Sequence, residues 1–280
     1  MDGVSMAFTA LSQRAAEAAE GWDEYLDSRD GLMHCARCGE PTEIRFRVFG
    51  KERKEHCICS CHQAQLRQEE AERERQKKLD RLEQLRRDGF EDEAIRGMTF
   101  GNDDGKQAKV TETAKRYCRH FTELKENSIG ICFYGNTGTG KTFTAGCIAN
   151  ELINQGYSVL MTNIGRIVNR MQNSFEGRQE YLDRINSVDL LIIDDLAAER
   201  DTEFVNEIVY TVIDSRYRCK RPLIVTTNKD PQKEFGGGLN KGRIYSRICE
   251  MCYPVEITGA DRRRQAAVDK MTELKKKLGV

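Results

Sequence analysis

Residues 135–142 form a glycine-rich segment whose residue types and spacing suit the binding of a polyphosphate. The segment reads Gly-Asn-Thr-Gly-Thr-Gly-Lys-Thr and fits the G-x-x-x-x-G-K-[S/T] pattern at every required position. Its glycines allow backbone N–H groups to close on phosphates at the positive end of a helix. We predict that Lys141 reaches the β- and γ-phosphates and that Thr142 supplies a hydroxyl to Mg²⁺. The predicted nucleotide-binding residues of this loop are Gly135, Asn136, Thr137, Gly138, Thr139, Gly140, Lys141, Thr142 and Phe143.

The segments on either side of this loop predict the strand and the helix that a phosphate-binding loop connects. Residues 129–134 are apolar and predict a buried strand, and residues 142–152 predict a helix. An ordinary glycine turn would not require this order of strand, loop and helix. The sequence therefore predicts a site for ATP or GTP.

Paired carboxylates follow a second apolar run. Asp194 and Asp195 come after four aliphatic residues, 190–193, which suit a central parallel strand buried on both faces. Two acids at the end of such a strand are costly unless they serve a cation or a proton transfer. We predict that Asp194 holds Mg²⁺ and that Asp195 polarises the attacking water. A solvated turn would explain one aspartate more easily than both.

A third predicted strand, residues 222–228, ends in a polar residue. Asn228 suits the orientation of water and the sensing of the γ-phosphate, and Thr227 is the weaker candidate. Further along the chain, Arg243 and Arg247 are four residues apart and therefore share one helix face. Two arginines on a surface helix are common. After a sensor residue they predict an arginine finger that enters the nucleotide site of a neighbouring subunit.

The order of these motifs resembles the DnaC/IstB branch of the AAA+ ATPases, from about Met98 to about Arg264. The resemblance implies an α/β fold, namely a three-layer AAA+ P-loop domain with a parallel sheet, and the hydrolysis of ATP. In this family a second aspartate stands where most such ATPases have a glutamate, and Asp195 fits that position.

The same resemblance assigns roles to the arginines. It implies that Arg247 is the finger, that Arg243 supports it, and that a sensor acting within the same chain lies at Arg262 or Arg263. The predicted catalytic residues are then Lys141, Asp195, Asn228 and Arg247, and the nucleotide-binding residues beyond the loop are Asp194, Arg243 and Arg262.

The first third of the chain carries a cysteine pattern typical of a zinc module. Cys35 and Cys38 form a C-x-x-C-G knuckle, and three more cysteines follow after a short segment. Thiolates at such spacing bind Zn²⁺ tetrahedrally, and a module of this size usually needs the metal to fold. We predict that four of five cysteines hold the metal, with His34, His56 and His62 as less favoured substitutes. The five are Cys35, Cys38, Cys57, Cys59 and Cys61.

Two further observations bear on this module. Between its cysteines, residues 43–51 alternate like a hairpin strand that turns at Gly50. A disulfide framework is the alternative to zinc, but the sequence shows no signal peptide and its ATPase must work in a reducing cytosol. DnaC-like helicase loaders encoded by phages and prophages often carry a cysteine cluster in this region. The resemblance therefore extends to this module, with lower specificity.

The remaining segments set the predicted domain boundaries. Residues 62–87 are dense in charge and predict a long exposed helix, whose thin apolar seam either belongs to a solvated connector or docks on a partner. Residues 7–26 predict another helix. We therefore predict an N-terminal helix and zinc module in 1–61, a charged connecting helix and linker in 62–97, and the ATPase domain in 98–280. The seam consists of Leu66, Leu79, Leu82 and Leu85.

Composition limits the classes of function. Lys+Arg and Asp+Glu are equal at 45 each in 280 residues, so no global basic field indicates nucleic acid. No apolar run is long enough to span a membrane. Among the local basic clusters, Tyr217 between Arg216 and Arg218 best suits single-stranded DNA, because it combines stacking with phosphate contacts.

The motifs and the resemblance together predict a replicative helicase loader in a bacterial cytoplasm. Such a protein binds ATP, Mg²⁺ and single-stranded DNA, carries Zn²⁺, self-associates through its arginine finger and delivers a hexameric, DnaB-like helicase to DNA. An IstB-like transposition ATPase is the nearest alternative. A P-loop kinase for a small molecule does not explain Asn228 and the paired arginines. A non-catalytic zinc adaptor does not explain the intact phosphate loop and paired aspartates.

Overall fold

A computed structural model gives the fold, and the structure describes residues 23–172, 175–196, 202–234 and 239–278. These residues divide into two compact units, with the boundary between Leu79 and Asp80. Most of the helix predicted for residues 7–26 lies outside the described residues. The described helices include none that is long and apolar enough to cross a membrane.

The first unit contains two antiparallel ribbons followed by a helix. Strands β1 (Glu24–Leu26) and β2 (Met33–Cys35) form one ribbon, and β3 (Glu43–Val48) and β4 (Lys51–His56) form the other. The second ribbon turns at Phe49 and Gly50, as the alternating sequence predicts. The helical prediction for residues 24–26 is wrong, because their backbone pairs with β2 across a turn in which the N–H of Asp27 donates to the carbonyl of Leu32.

Helix α1 (Ser60–Gly89) is the long charged helix that the sequence predicts. Two leucines of its seam, Leu82 and Leu85, pack against the core of the second unit, and Phe90 after it is buried beside Met161. The structure therefore groups residues 80–97 with the ATPase unit, whereas the sequence places its start at Met98. The physical reason is that the side chains of Leu82, Leu85 and Phe90 are packed in the core of the second unit.

A five-stranded parallel sheet forms the centre of the second unit. Its spatial order is β6-β7-β8-β5-β9, so the strand that precedes the phosphate loop lies between β8 and β9. This order brings the carboxyl ends of β5, β7 and β8 to one edge of the sheet. The strands are β5 (Gly130–Tyr134), β6 (Val159–Asn163), β7 (Leu190–Leu196), β8 (Leu223–Thr227) and β9 (Cys252–Glu256).

Helices cover both faces of this sheet and make the unit a three-layer α/β structure. One core contains residues of α2, α3 and α4, and the other contains residues of α5, α6, α7 and α8. Leu190 and Ile192 of β7 enter the first core, while Leu191 and Ile193 enter the second. The predicted burial of this strand on both faces is confirmed. The helices are α2 (Ala108–Arg119), α3 (Phe121–Glu126), α4 (Lys141–Asn154), α5 (Ile164–Met171), α6 (Phe175–Ser187), α7 (Glu203–Arg218), α8 (Leu239–Met251) and α9 (Arg262–Leu278).

A fully buried arginine, Arg216 of α7, ties three elements of the second unit together. Its guanidinium donates five hydrogen bonds to backbone carbonyls, at 2.9 to 3.2 Å. Burial lowers the pKa of Arg216 to about 9, which leaves it protonated at neutral pH. The carbonyls belong to the end of α6, the start of β7 and the residue before β8, namely Ile185, Val188, Asp189 and Pro222.

This burial corrects the interpretation of residues 216–218 as a patch for single-stranded DNA. Arg216 does not reach solvent, because its charge serves the interior. The Tyr217 hydroxyl donates to a carboxylate oxygen of Glu250 at 2.7 Å, and Arg218 pairs with Asp214 at 2.8 Å. The polar groups of these three residues are therefore already paired within the chain.

Candidate nucleotide site and candidate metal centre

The phosphate loop connects β5 to α4, and three of its glycines take backbone conformations that other residues rarely adopt. The φ angles of Gly135, Gly138 and Gly140 are 133°, 77° and 105°. A Cβ on Gly138 would also collide with the side chain of Asp261. These glycines are required because the loop curls tightly before α4 begins at Lys141.

Lys141 lies across this loop and is almost completely buried. Its Nζ donates to the carbonyls of Gly135 and Asn136 at 2.9 and 2.7 Å and to Oδ1 of Asn228 at 2.7 Å. Burial lowers the pKa of Lys141, and the nearby charges of Asp195 and Asp194 oppose this shift. The ammonium group is therefore held at the loop by acceptors from the residues that directly follow β5 and β8.

The first of the two aspartates in β7 accepts two hydroxyl hydrogen bonds on one oxygen. Thr142 donates to Oδ1 of Asp194 at 2.9 Å, and Thr226 of β8 donates to the same atom at 2.6 Å. Burial raises the pKa of the Asp194 carboxyl above its usual range. A hydroxyl and a carboxylate oxygen side by side are ligands suited to Mg²⁺. Sequence reasoning missed Thr226, although its polar side chain just before Thr227 was the available signal.

Asp195 follows in a left-handed backbone conformation with φ of 56°. The pairing of β7 with β8 is irregular at this point, and the backbone N–H of Asp195 donates to Oγ1 of Thr226 at 2.8 Å. The Asn228 amide donates to Oδ1 of Asp195 at 3.4 Å. Thr227, by contrast, is fully buried and accepts from the backbone of Lys229. The structure thus brings Asn228, and not Thr227, beside the paired aspartates.

A cavity of about 340 Å³ contains these groups. Met98, which sequence reasoning did not assign to the site, also lines it. Asn150 of α4 holds the segment of Met98 by donating to its carbonyl at 3.0 Å. The cavity is lined by Met98, Thr137, Gly138, Gly140, Lys141, Thr142, Phe143, Asp194, Asp195, Thr226, Asn228, Arg262 and Arg263.

Two arginines at the start of α9 line the cavity in different ways. Arg262 pairs with Asp104 at 3.2 Å, and its backbone N–H donates to the carbonyl of Gly138 at 3.0 Å. The charge of Arg263 instead acts on Lys141 and Asp194, since it contributes to the lowered pKa of Lys141 and opposes the raised pKa of Asp194. Both arginines thus lie near the phosphate loop, Arg262 with its guanidinium against Gly140 and Arg263 through its charge on Lys141.

The predicted finger pair lies on α8, outside this cavity. Arg247 forms an ion pair with Asp214, and its guanidinium lies 4.8 Å from the ring centre of Tyr210 and 5.5 Å from that of Tyr217. Arg243, one turn earlier, is exposed. Within one chain, neither arginine is among the residues that line the nucleotide cavity.

A separate cluster of sulfur and nitrogen atoms lies in the first unit. The ligand atoms of Cys35, Cys59, Cys61 and His62 all lie within 4.8 Å of one another. The Sγ atoms of Cys35 and Cys61 are 3.7 Å apart and those of Cys59 and Cys61 are 3.4 Å apart. Four ligands at ~2.3 Å around one Zn²⁺ place sulfurs about 3.8 Å from each other. Disulfide bonds of ~2.05 Å do not fit these distances.

Burial raises the pKa of the Cys59 and Cys61 thiols, and the thiol of Cys38, which lies near this cluster, adds to that shift. Burial raises the pKa of the Cys35 thiol, but the nearby backbone N–H groups of Cys38 and Arg37 outweigh it and lower the pKa to about 7. Cys35, Cys38, Cys59, Cys61 and His62 thus provide five candidate ligands for four positions.

The structure separates the other predicted candidates from this cluster. The thiol of Cys57 donates to the carbonyl of Pro41 at 3.4 Å, so its side chain is used at the base of the ribbon. Both ring nitrogens of His34 are occupied, one by the Gly39 carbonyl and one by Asp30, each at 2.9 Å. His62, ranked below the thiols from sequence, enters because α1 starts at Ser60 and places it in the first turn with Cys61.

Comparison with known proteins agrees with this arrangement. Residues 54–270 match the family model described as IstB-like ATP binding protein. The replicative helicase loader DnaC of Buchnera aphidicola subsp. Schizaphis graminum is 33% identical over 129 residues, which are 44% of this chain and 51% of that protein. The replicative helicase loader DnaI of Bacillus subtilis is 29% identical over 147 residues, 48% of this chain and 47% of that protein. The chain therefore spans about half the length of these relatives.

Solved structures of the same kind share the fold. A crystal structure of DnaI superposes with a TM-score of 0.52 and 28% identity, covering 62% of this chain and 94% of that one. A crystal structure of the DnaC helicase loader superposes with a TM-score of 0.53 and 19% identity, covering 60% and 100%. These likenesses confirm the predicted three-layer α/β class.

Proposed function

The chain belongs to the IstB-like ATP-binding protein family, and from this premise we propose that it is an ATP-driven loader of a replicative helicase. The match over residues 54–270 confirms both the family that the motifs resemble and its class, a P-loop ATPase. It also sets aside the small-molecule kinase as an interpretation of the phosphate loop.

The hydrogen-bond network at the carboxyl edge of the sheet supports hydrolysis of ATP with Mg²⁺. Bound Mg²⁺ would neutralise the phosphates and the buried carboxylate of Asp194, with Thr142 as its second protein ligand. Lys141 would hold the phosphates, since its ammonium group already lies at the loop. Asp195 would orient and deprotonate the attacking water, and Asn228, which contacts both Lys141 and Asp195, would hold that water in place. Arg263 would place a second cation within the same chain.

The names of the relatives support the role in replication. Proteins called replicative helicase loader, from Buchnera, Escherichia coli and Bacillus subtilis, match 44 to 48% of this chain. We infer that the partners are a hexameric, DnaB-like helicase and single-stranded DNA, and that the protein works in the cytoplasm of a bacterial host.

Assembly of several copies is the step that would complete the nucleotide site. In our proposal Arg247 leaves its ion pair with Asp214 and reaches the phosphates bound to a neighbouring copy, with Arg243 beside it. Competition by Asp214, Tyr210 and Tyr217 for this guanidinium would keep an isolated chain weakly active.

The first unit would hold one structural Zn²⁺. The sulfur distances support a tetrahedral site built from the Cys35–Cys38 knuckle and from Cys59, Cys61 or His62. The metal would supply folding stability to a unit whose described ribbons bury few large apolar side chains.

The main support for the proposed nucleotide site is the set of three hydrogen bonds that hold the ammonium group of Lys141 at the phosphate loop. The variant Lys141→Ala tests this site. We expect loss of binding of a fluorescent ATP analogue and loss of helicase loading onto a circular single strand, both with the helicase of the host. Lys109→Ala, an exposed lysine on α2, is the matched control and should behave as wild type. Normal ATP affinity in Lys141→Ala would overturn the assignment of the site.

The description of the family favours a second candidate, an ATPase that assists a transposase. The two functions differ in the partner protein that this chain would bind, a helicase in one case and a transposase in the other. Pull-down of the host helicase by purified chain, with a transposase as competitor, separates them. Retention of a transposase and not of a helicase would replace the loader by this alternative.

A further inference from the structure

The tip of the β3–β4 ribbon presents an aromatic side chain to solvent. Phe49 is 94% exposed, more than any other large apolar residue among those described. It occupies the turn between Val48 and Lys51, whose backbones pair with each other. A phenylalanine at a loop tip contributes nothing to the core of its own unit, so its exposed ring needs a different explanation.

The backbone at this tip makes the choice of residue more unusual. Phe49 and Gly50 have φ angles of 49° and 76°, which define a two-residue turn with both central residues left-handed. Such turns strongly favour Asn, Asp or Gly at the first position. A non-glycine residue in this conformation is strained, and aromatic residues are not among those enriched there. The sequence therefore keeps an aromatic ring where local stability favours a small polar residue.

Three cations without an ion pair among the described residues lie within four residues of Phe49, with Lys51 and Arg53 on one face of the ribbon and Arg47 on the other. Arg47, Lys51 and Arg53 are exposed, and no described carboxylate lies within 4 Å of their charged groups. Glu52, which lies opposite Arg47 in the ribbon, pairs instead with Arg45 at 3.2 Å. Lys54 similarly pairs with Glu43 at 3.5 Å. Two cations of the ribbon, Arg45 and Lys54, are thus paired with carboxylates, whereas Arg47, Lys51 and Arg53 are not.

We propose that this ribbon tip binds single-stranded nucleic acid, with Phe49 stacked on a base and Arg47, Lys51 and Arg53 on phosphates. An aromatic face between unpaired cations is the combination that single strands use, because every base has a face for stacking and every linkage carries a charge. A polar ribbon with a net positive tip matches a polyanion better than it matches an apolar protein groove. This inference deepens the proposed function and rests on its binding of single-stranded DNA, for which it supplies a surface in place of residues 216–218.

The variant Phe49→Asn tests the stacking contact without endangering the fold. Asparagine is favoured at this turn position, so the variant should fold at least as well as wild type and keep its metal content. We expect its affinity for a fluorescein-labelled oligo(dT), measured by anisotropy on the full chain without nucleotide, to fall about tenfold. Phe49→Trp should keep wild-type affinity, and its fluorescence, after subtraction of that of Trp22 in wild type, should be quenched by the oligonucleotide.

The charge of the tip is tested by the dependence of affinity on salt. Arg47→Gln should lower the slope of log affinity against log salt by about 0.7, the value for one phosphate contact on a single strand. Lys54→Gln removes the same charge from the same ribbon at a paired position, and its slope should stay closer to that of wild type.

The outcomes distinguish this inference from the proposed function. If the wild-type chain binds no oligo(dT), the DNA-binding part of the proposed function fails and takes this inference with it. If wild type binds but Phe49→Asn binds equally well, only the ribbon tip is overturned. Loss of helicase binding in Phe49→Asn with unchanged DNA affinity would identify the tip as a protein contact and would also overturn the proposal.

Discussion

Replacing Arg216 by Met tests whether one buried guanidinium holds the strands of the nucleotide site in place. Methionine has a similar length and no charge, so it fills the space but makes none of the five hydrogen bonds to the carbonyls of α6, β7 and β8. Four carbonyls would lose the guanidinium as a donor, although that of Val188 keeps a hydrogen bond from Arg221 and that of Pro222 keeps one from the backbone of Leu191. We expect the free energy of unfolding of the second unit to fall and the carboxyl ends of β7 and β8 to lose their alignment.

The magnitude follows from two opposing contributions. Hydrogen bonds to a charged donor contribute ~1.5–3 kcal/mol each, so five of them would give roughly 10 kcal/mol if they were additive. Burial of the guanidinium without a carboxylate partner costs several kcal/mol, and methionine avoids that cost. The net loss expected is therefore about 4 kcal/mol, within the range seen when one partner of a buried polar cluster is removed.

The assay is urea unfolding followed by far-UV circular dichroism. With a denaturant slope of about 2 kcal/mol per molar urea, a loss of about 4 kcal/mol moves the midpoint by roughly 2 M. Arg218→Met, two residues away, is the matched control because its side chain is 75% exposed and pairs only with Asp214. Its expected effect is below about 1 kcal/mol.

Equal midpoints for Arg216→Met and Arg218→Met would refute the reasoning, since the carbonyls would then be satisfied without the guanidinium. If Arg216→Met does not accumulate as folded protein, Arg216→Lys provides the measurement. Lysine keeps a charge but has three donors where arginine has five, so an intermediate midpoint is expected.

Three further predictions concern the nucleotide site, the metal and the assembly. Asp195→Asn should bind ATP with Mg²⁺ at wild-type affinity and lose hydrolysis, measured by phosphate release; normal turnover would place the base elsewhere. Cys59→Ser should lose about one Zn²⁺ per chain by metal analysis, whereas Cys57→Ser, whose thiol contacts only a carbonyl in the structure, should keep it; zinc-free wild type would leave free thiols instead. Arg247→Ala should bind ATP but lose most activity in the assembled state, by ~10³-fold if it is a finger. Mixing it with Lys141→Ala should restore part of that activity, and no restoration would argue against action between subunits.

Sequence reasoning succeeded where the information is local. The phosphate loop, the paired aspartates and Asn228 each follow an apolar run directly, so their position on a strand end can be inferred from a few neighbouring residues. The β3–β4 hairpin was equally accessible, because alternation and a glycine at the turn are features of one short segment.

Prediction from sequence failed where the role of a residue depends on partners that are distant in the sequence. Arg216 has the appearance of a solvated basic residue, and only the meeting of carbonyls from three elements shows that it belongs inside. Thr226 reaches Asp194, the proposed Mg²⁺ ligand, because β8 lies beside β7. The choice between Cys57 and His62 depended on where α1 begins. The strand at residues 24–26 was missed because its partner, and not its own pattern, determines its conformation.

The strand order also has a consequence for the synthesis of this protein. Strands β6, β7 and β8 are neighbours in both sequence and space, so each can pair soon after it leaves the ribosome. Strand β5 is made first among the five but pairs only with β8, about 90 residues later, and with β9, about 120 residues later. At roughly 5–20 residues per second, Ile131 and Phe133 wait about 5–20 s without the strands that bury them in the finished sheet. The nascent chain therefore exposes the apolar strand that precedes the phosphate loop until β8 has been made, and the nucleotide site cannot be complete before then.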